Sequence, residues 1–420
     1  MAERLRIALL THSVNPRGGA VHVLELGRAL LARGHAVTVI APAARGQRFF
    51  RETPCRVELA ALPPSGTDLA ETVHQRIVAM RSHLSALLQR ERFDVFHTHD
   101  GIGGNALADL GCSYLRTVHH VDKFADPQVQ AWEERSIREA SQVLCVSALW
   151  CERLFAETGI SAAQVPNGVD LDRFSPHATP RDSWVAERHG IGGLRPVVLT
   201  VGGIEARKNT RRLLQAFVRL RQRLPRAQLV IAGGASLLDH GSEAAAFRAE
   251  AASAGLAIGP NQAIVVTGPL PDSDMPALYR SADVLAMPSL LEGFGLAALE
   301  GLASGTPAVV SQIAPFTEHF AEDDVLWADP LQPASIADAL QRAVARGRHI
   351  DVPAVCRRFS WAASAERHEA LYRAALPQPL SLTLRQAQDR VRFANRRPAE
   401  TVPGFDTSAR ADFVCSSTES

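Results

Sequence analysis

Lysine is almost missing from this chain of 420 residues. Among its 45 lysines and arginines, the lysines are Lys123 and Lys208. A codon bias that replaces lysine with arginine explains such a composition, and chance survival explains any one remaining lysine. A compact ammonium and a planar guanidinium are nevertheless not interchangeable, so the position of each lysine is informative.

Long apolar runs, CxxC pairs and an excess of one charge are absent as well. No apolar run approaches the ~20 residues that cross a bilayer, and the first residues, MAERLRIALLTHS, lack the apolar stretch of a signal peptide. The six cysteines show no disulfide framework, so we expect a cytoplasmic protein. The formal net charge of +1 gives no basis for a nucleic-acid partner.

Strand-like apolar runs alternate with amphipathic helical stretches along most of the chain. Such alternation predicts βαβ units and mostly parallel sheets. In the first half the predicted strands are 6–12, 36–42, 93–100, 114–120 and 142–148, with helices at 19–35 and 67–92. In the second half they are 196–203, 227–234, 263–270, 283–289 and 306–311, with a helix at 209–225. The predicted fold class is therefore α/β, with two doubly wound Rossmann-like domains.

A segment rich in proline, glycine and aspartate, residues 166–190, separates the two alternating regions, and we interpret it as the interdomain connection. We predict an N-terminal domain at 1–175, a C-terminal domain at 176–358 and a closing helix at 359–376. The polar residues 377–420 are expected to be poorly ordered. Two such domains leave a cleft, where strand carboxyl ends and helix N-termini bind ligands.

The segment SLLEGFGLAALEGLASG carries two glutamates, Glu292 and Glu300, eight positions apart. Glu292 is predicted to lie in the loop after a strand, between flexible glycines, and Glu300 about one turn inside the following helix. The positive end of that helix suits a diphosphate, and Glu300 can accept hydrogen bonds from a ribose hydroxyl pair. The plain alternative is a helix-entry carboxylate and a solvated helix face. It leaves the glycines and the otherwise uncharged helix unexplained.

The turn VGGIEARKNT, residues 201–210, joins a predicted strand to a helix that begins at Asn209 or Thr210, both of which are N-cap residue types. Lys208 therefore stands at the mouth of this helix, where we predict that it clamps a phosphate. An exposed turn lysine is the alternative. The scarcity of lysine favours the clamp.

Two further turns follow predicted strands in the first half. Gly18 and Gly19 in NPRGGAVH let a ligand approach the backbone, although a plain tight turn is equally compatible with the sequence. This turn lacks the GxGxxG pattern of dinucleotide sites. His119 and His120 end the strand RTVHH, and Lys123 follows shortly after. Both lysines thus fall near predicted cleft edges.

We predict no metal site. The DxD patterns at 170–172 and 272–274 fall in the connection and at a helix start, where aspartate caps the helix. The HTHD motif at 97–100, together with His119 and His120, suggests a metallohydrolase. No matching carboxylate cluster accompanies it, and a metallohydrolase would leave the two glutamates unexplained.

The two glutamates, the GGIEARK turn, the motif VPNGVDLDRF at 165–174 and the N-terminal glycine turn together resemble the GT-B glycosyltransferases of family 4, which are retaining nucleotide-sugar transferases. The resemblance spans residues 6–376. It implies that Glu292 binds hydroxyls of the donor sugar, that Lys208 neutralises the leaving diphosphate and that Glu300 holds the ribose.

The resemblance also implies that His119 contacts the donor sugar near the anomeric carbon. Most relatives carry an arginine where this chain has Gly203, so we expect Arg207 or another arginine to substitute. The predicted catalytic residues are Glu292, His119 and Lys208. The predicted donor contacts are Gly18, Gly19, Gly203, Arg207, Lys208, Glu292, Gly293, Phe294, Gly295, Leu296 and Glu300.

These features predict a metal-independent, retaining glycosyltransferase with no cofactor. It moves a sugar from a UDP or GDP sugar to a hydroxyl of a small-molecule, lipid or glycan acceptor. The alternative is a non-catalytic nucleotide-sugar-binding protein of the same fold, which Gly203 favours. Basic amphipathic helices at 73–92 and 209–224 suggest weak peripheral contact with the inner membrane face. A solvated helix face in an arginine-rich protein is the simpler interpretation.

Overall fold

Two parallel β-sheets organise the chain in the computed structural model, which describes residues 3–63, 68–121, 123–234 and 241–376. The first sheet has seven strands in the order β3-β2-β1-β4-β5-β6-β7, and its strand pairs are parallel. Its strands are β1 (Arg6–Leu10), β2 (Ala36–Ala43), β3 (Arg56–Ala61), β4 (Val95–Thr98), β5 (Leu115–Val118), β6 (Gln142–Cys145) and β7 (Ala162–Gln164).

The second sheet has six strands in the order β10-β9-β8-β11-β12-β13, again with parallel pairs. Its central strands are buried apolar runs such as VVLTV and VLAM, which is typical of strands covered on both faces. The strands are β8 (Val197–Val201), β9 (Gln228–Ala232), β10 (Ile264–Gly268), β11 (Val284–Met287), β12 (Ala308–Ser311) and β13 (Leu326–Ala328).

Helices connect the strands of the first sheet. In the longest of them, Asp68 caps the N-terminus by accepting a hydrogen bond from the Glu71 amide. Its buried residues Ile77, Met80, Leu84 and Leu87 recur at helical spacing and therefore share one face. The helices are α1 (Gly18–Ala32), α2 (Leu69–Arg90), α3 (Gly101–Asp109), α4 (Pro127–Arg138) and α5 (Ala148–Thr158).

One helix lies inside the segment that we interpreted as the interdomain connection. It is α6 (Pro180–His189), which begins with a capping box in which Thr179 and Asp182 bond each other's backbone. The remaining helices are α7 (Thr210–Arg223), α8 (Gly241–Ser253), α9 (Met275–Ser281), α10 (Leu296–Ala303), α11 (Phe316–His319), α12 (Pro333–Arg346), α13 (Ala354–Arg358) and α14 (Trp361–Ala375).

Each sheet reverses its strand order beside its first strand, between β1 and β4 and between β8 and β11. Turns at the carboxyl ends of strands beside such a reversal line a crevice, because neighbouring connections leave to opposite faces of the sheet. The predicted site residues follow β1, β5, β8 and β11. The predicted site residues of each sheet therefore lie at one edge, where its parallel strands have their carboxyl ends.

The last helix returns to the first sheet. α14 packs against α1, and the Arg33 guanidinium donates to Glu369 of α14 at 2.7 Å. One cluster of buried apolar residues also runs continuously from Val143 and Trp150 of the first sheet's layer to Leu285 and Phe316 of the second. Apolar burial thus holds the two sheets together beside the crevice.

The predicted α/β class and parallel sheets are confirmed, and each predicted strand coincides with an observed one. Strands β3, β7 and β13 lie at or near sheet edges and were not predicted. The predicted domain boundary at residue 175 falls between β7 and α6. Residues 377–420 lie outside the described part of the chain. Among the helices of that part, none is long and apolar enough to traverse a bilayer.

Candidate functional site

The 288–295 loop connects β11 to α10 and carries Glu292, as predicted. Gly295 takes the left-handed φ of 100° at the N-cap of α10, and a Cβ on it would lie 2.6 Å from the Phe316 ring. Among the described residues, no side chain caps this helix. The loop therefore turns tightly into a helix whose N-terminal amides are left to other partners, which is the arrangement that suits an anion.

The Glu292 carboxylate is the centre of a buried polar cluster. Lys208 Nζ lies 2.7 Å from its Oε1, the Ser289 hydroxyl donates to the same oxygen at 2.7 Å, and Arg207 lies 3.4 Å from Oε2. Burial by itself would raise the pKa of Glu292, but the charges of Lys208 and Arg207 outweigh it, and its pKa is lowered. The carboxylate is therefore ionised and can accept hydrogen bonds.

The turn before α7 places Lys208 against this carboxylate. Asn209 takes the left-handed φ of 59°, and its side-chain amide donates to the carbonyls of Pro288 and Pro330 at 2.9 and 2.6 Å. A Cβ on Gly202 would lie 2.7 Å from Lys208 Cε, so glycine at 202 leaves room for the lysine stem. The prediction that α7 begins at Asn209 or Thr210 is confirmed.

Gly203 has a structural reason to be glycine. Its φ is 78°, and a Cβ would approach the Gly234 carbonyl oxygen to 2.9 Å, so an arginine at this position would be strained. Arg207 brings a guanidinium beside Lys208 instead, donating to the Leu291 carbonyl at 3.1 Å. Its side chain is 38% exposed and also lies 3.6 Å from a Glu205 oxygen. The expected substitution of the missing arginine by Arg207 thus has a geometric basis.

Glu300 lies inside α10 and is not a solvated surface residue. Its Oε2 accepts a hydrogen bond from the Tyr279 hydroxyl at 2.8 Å. Burial raises the pKa of Glu300 to about 7, against the opposing effects of the Tyr279 hydrogen bond and Arg173. A ligand that donates hydrogen bonds to this carboxyl would favour its ionised form and lower its pKa.

His119 lies where the two sheets approach each other. It directly follows β5, and a Cβ on Gly293 would come within 2.6 Å of its carbonyl oxygen. A Cβ on Gly19 would lie 3.6 Å from its imidazole. Gly18, the first residue of α1, has no atom near the position of its missing Cβ. The structure therefore gathers Gly19, His119 and Gly293, which are far apart in the sequence.

Lys123 and the DxD aspartates stand apart from this cluster. Lys123 is 81% exposed, and its ion-pair partner is Glu157 at 3.8 Å. Chance survival describes this lysine better than a role in the cleft. Three of the four aspartates in the DxD patterns pair with arginines: Asp170 with Arg28, Asp272 with Arg173, and Asp274 with Arg181.

Two interdomain contacts were not predicted from the sequence. Trp150 of α5 is 2% exposed, and its indole N–H donates to the Glu292 carbonyl at 2.9 Å. Glu318 of α11 accepts hydrogen bonds from the first two amides of α5, each at 2.8 Å. The first layer therefore holds the 288–295 loop directly. No local pattern indicates such pairs, because their members lie more than a hundred residues apart.

Two family models match this chain. Residues 185–354 match Glycosyl transferases group 1, and residues 16–173 match Glycosyltransferase Family 4. The mannosylfructose-phosphate synthase of Agrobacterium fabrum is 25% identical over 70% of this chain and 71% of its own length. A D-inositol 3-phosphate glycosyltransferase of Corynebacterium jeikeium is 27% identical, covering 88% of this chain and 96% of its own.

Solved structures agree on the architecture. Sucrose-phosphate synthase of Thermosynechococcus elongatus superposes with a TM-score of 0.69 at 22% identity, over 88% of this chain and 99% of that one. Anabaena Alr3699/HepE in complex with UDP and glucose gives 0.68 at 15% identity, over 88% and 100%. The chain has two parallel sheets in the GT-B arrangement and matches both family models. It therefore belongs to the group 1 glycosyltransferases and is an enzyme of the transferase class that uses a nucleotide sugar.

Proposed function

We propose that this enzyme transfers a sugar from a nucleoside diphosphate sugar to an acceptor hydroxyl with retention of anomeric configuration. The observation that carries the proposal is the Glu292 cluster. An ionised carboxylate, an ammonium and an uncapped helix N-terminus meet at the carboxyl edge of the second sheet, opposite His119. These are the groups that a sugar, a diphosphate and the bond between them require.

The diphosphate would lie against the N-terminus of α10. The amides of Phe294, Gly295 and Leu296 would donate to phosphate oxygens, and the helix dipole favours negative charge there. Lys208 and Arg207 would turn toward the same oxygens. These groups stabilise the charge that develops on the leaving group, so departure of the diphosphate needs no metal ion beside it.

The sugar and the nucleoside would take the two glutamates. Glu292 would accept hydrogen bonds from hydroxyls of the donor sugar, and Glu300 from the two ribose hydroxyls. Glu300 follows Glu292 by eight positions and lies about one turn inside α10, so the N-terminus of this helix stands between the two glutamates. This order along the segment matches the order of sugar, diphosphate and ribose in the donor.

His119 would face the anomeric carbon from the first sheet. Burial lowers the pKa of His119 well below its ordinary value, so the imidazole is neutral and can donate or accept a hydrogen bond without adding charge. Gly19 lies against this ring with no side chain of its own, which leaves space for the donor phosphate or the acceptor.

The transfer step that we infer is front-face attack. The acceptor oxygen forms its bond to the anomeric carbon on the face from which the diphosphate leaves. The bond between the anomeric carbon and the diphosphate oxygen breaks, and its electron pair stays on the diphosphate. The acceptor proton passes to a phosphate oxygen. Glu292 is engaged by Lys208 and Ser289, so we assign it to hydroxyl binding and not to covalent attack.

Membrane contact through α2 and α7 remains a prediction. In α7, Arg211 pairs with Glu250, and Arg223 lies 2.6 Å from Asp338. Since these arginines already have anionic partners in the protein, an acceptor in solution is at least as compatible with this surface as a lipid.

A panel of nucleoside diphosphate sugars tests the proposal. We expect one donor class to raise the thermal midpoint and to be consumed when acceptors are added, with the anomeric configuration of the product read by NMR. Lys208→Ala should abolish consumption, and Lys123→Ala is the matched control because it removes the other lysine. Normal transfer by the Lys208 variant, or an inverted product, would refute the assignment.

A further inference from the structure

Three histidines from different elements converge in the layer of the first sheet. His22 lies in α1, His99 directly follows β4 and His119 directly follows β5. Their ring centroids are 4.7 Å apart for His22 and His99, 5.0 Å for His22 and His119, and 5.4 Å for His99 and His119. Each ring offers a nitrogen, and the three nitrogens lie within 4.8 Å of one another.

His99 Nδ1 and His119 Nε2 hydrogen-bond each other, and an ion would replace the shared proton, while the nitrogen that His22 turns away from its own partner is unused. His22 Nδ1 lies 2.8 Å from the Asn167 side-chain oxygen, so Nδ1 carries the proton and Nε2 is an acceptor. Among the described residues, His22 Nε2 has no hydrogen-bond partner, although His22 is 0% exposed. Buried polar atoms without partners are uncommon in folded proteins, and they indicate a missing partner.

The three imidazoles are also in the protonation state of a metal ligand. Burial lowers the pKa of each ring well below its ordinary value, and the neighbouring histidines lower it further. A neutral imidazole binds a metal ion, whereas an imidazolium does not.

We propose that His22, His99 and His119 form a binding site for a divalent cation of the zinc class. Three imidazole nitrogens without a carboxylate favour Zn²⁺, Co²⁺, Ni²⁺ or Cu²⁺ over Mg²⁺ and Ca²⁺. The separation of 3.2 Å between His99 Nδ1 and His119 Nε2 is close to the ~3.3 Å edge of a tetrahedral site with metal–nitrogen bonds of ~2.0 Å. The fourth position would take water or an anion.

Asn167 is the positioning residue of this site. Its contact with His22 Nδ1 fixes the tautomer and directs Nε2 toward the other two rings. Metal-ligating histidines almost always have such an outer partner. His97 lies beside the site without belonging to it, because its two nitrogens are taken by Tyr372 and Thr117 at 2.7 Å each.

Metal binding would affect catalysis, and this step rests on the function proposed above. A His119 nitrogen that is bonded to a cation cannot also contact the donor sugar. Zinc is therefore expected to inhibit transfer, and a chelator should restore it. The site then acts as a metal-sensitive control on an enzyme whose chemistry needs no metal.

Calorimetric titration of the untagged, chelator-treated full chain with zinc chloride tests the site without any sugar present. We expect one ion per chain with micromolar or tighter affinity. His22→Gln and His99→Gln should each weaken binding at least tenfold, and Asn167→Ala should weaken it about tenfold. His74→Gln is the matched control, because His74 stacks on Trp132 away from the cluster, and it should bind zinc like the wild type.

Zinc-edge X-ray absorption of the wild type keeps the test decisive should a buried variant fail to fold. Three imidazole nitrogens at about 2.0–2.1 Å are expected. Sulfur among the atoms that coordinate the ion would place it on cysteines and overturn the site. The absence of zinc binding, or equal zinc binding by His99→Gln and the wild type, would overturn it as well. Zinc binding in a protein without transferase activity would sustain the site and refute the proposed function instead. Sugar transfer by a protein that does not bind zinc would refute the site and support the proposed function.

Discussion

Replacing Glu300 by glutamine should stabilise the protein while weakening its hold on a nucleoside diphosphate. The folded-state pKa of Glu300 is raised to about 7 from 4.5, so at pH 8 the fold contains a carboxylate whose ionisation burial opposes. Glutamine keeps an oxygen for the Tyr279 hydroxyl at the same position and removes the charge. The ribose, in turn, loses a charged acceptor.

The size of the effect follows from linkage. Each pH unit between the two pKa values corresponds to ~1.4 kcal/mol, which gives ~3 kcal/mol for a fully buried group. Since Glu300 retains some contact with solvent, we take about half of this, ~1–2 kcal/mol, or about 2–5 °C in the thermal midpoint. The folded wild type holds a proton on Glu300 more tightly than the unfolded chain does. The stabilisation from this proton is fully present below pH 4.5 and is lost as the pH rises through about 7.

The assay compares thermal midpoints of Glu300→Gln and wild type at pH 8 and at pH 5. We expect the variant to be the more stable at pH 8 and the two to be nearly equal at pH 5, where the wild-type carboxyl is protonated. Glu157→Gln, at an exposed carboxylate of α5, should show no such dependence. Equal midpoints at pH 8, or the same difference at both pH values, would refute the reasoning.

Four further substitutions examine the contacts around the 288–295 loop. Glu292→Gln should lower kcat by about a hundredfold or more by weakening contacts to the sugar in the transition state, while Lys208→Ala should also destabilise the fold by about 3 kcal/mol because it leaves a buried carboxylate short of its cation; steady-state kinetics and denaturation read the two effects. Gly293→Ala should lower kcat because its Cβ would lie 2.6 Å from the His119 carbonyl oxygen. Trp150→Phe should cost about 1–3 kcal/mol by leaving the Glu292 carbonyl unpaired, measured by thermal unfolding and by donor KM.

The glycine and the tryptophan substitution each have a control of the same chemistry. Gly193→Ala adds a Cβ that makes only an ordinary contact at 3.5 Å, and Trp184→Phe changes a tryptophan that is 40% exposed. Both should behave like the wild type. If Gly193→Ala and Gly293→Ala were equally active, close approach at the loop would not matter. If both tryptophan variants lost the same stability, the Trp150 hydrogen bond would contribute nothing of its own.

The parts of the fold that depend on local pattern could be predicted from the sequence. The buried strands β8 and β11 are apolar runs bounded by glycine or proline, and the helix after Lys208 begins at an N-cap residue, so period and capping sufficed. The position of Glu292 followed from the same local rules. Helix α6 carries a capping box that the interpretation of 166–190 as an interdomain connection did not take into account.

The remaining features depend on tertiary contacts that no local pattern encodes. The Trp150 hydrogen bond and the Glu318 cap join positions more than a hundred residues apart. The histidines at 22, 99 and 119 come together only because the strand order places their elements side by side. The scarcity of lysine drew attention equally to Lys208, which lies against the buried Glu292, and to Lys123, which is exposed, since composition does not distinguish selection from chance.

In the proposed donor site, the ion pair between Glu292 and Lys208 would make recognition of the sugar and of the diphosphate interdependent. A sugar that arrives alone meets a carboxylate already neutralised by an internal ammonium. A diphosphate that draws Lys208 away leaves a Glu292 oxygen ready for a hydroxyl. An exchange of partners within one salt bridge would therefore let the enzyme read sugar and phosphate as a single molecule and discriminate against either fragment.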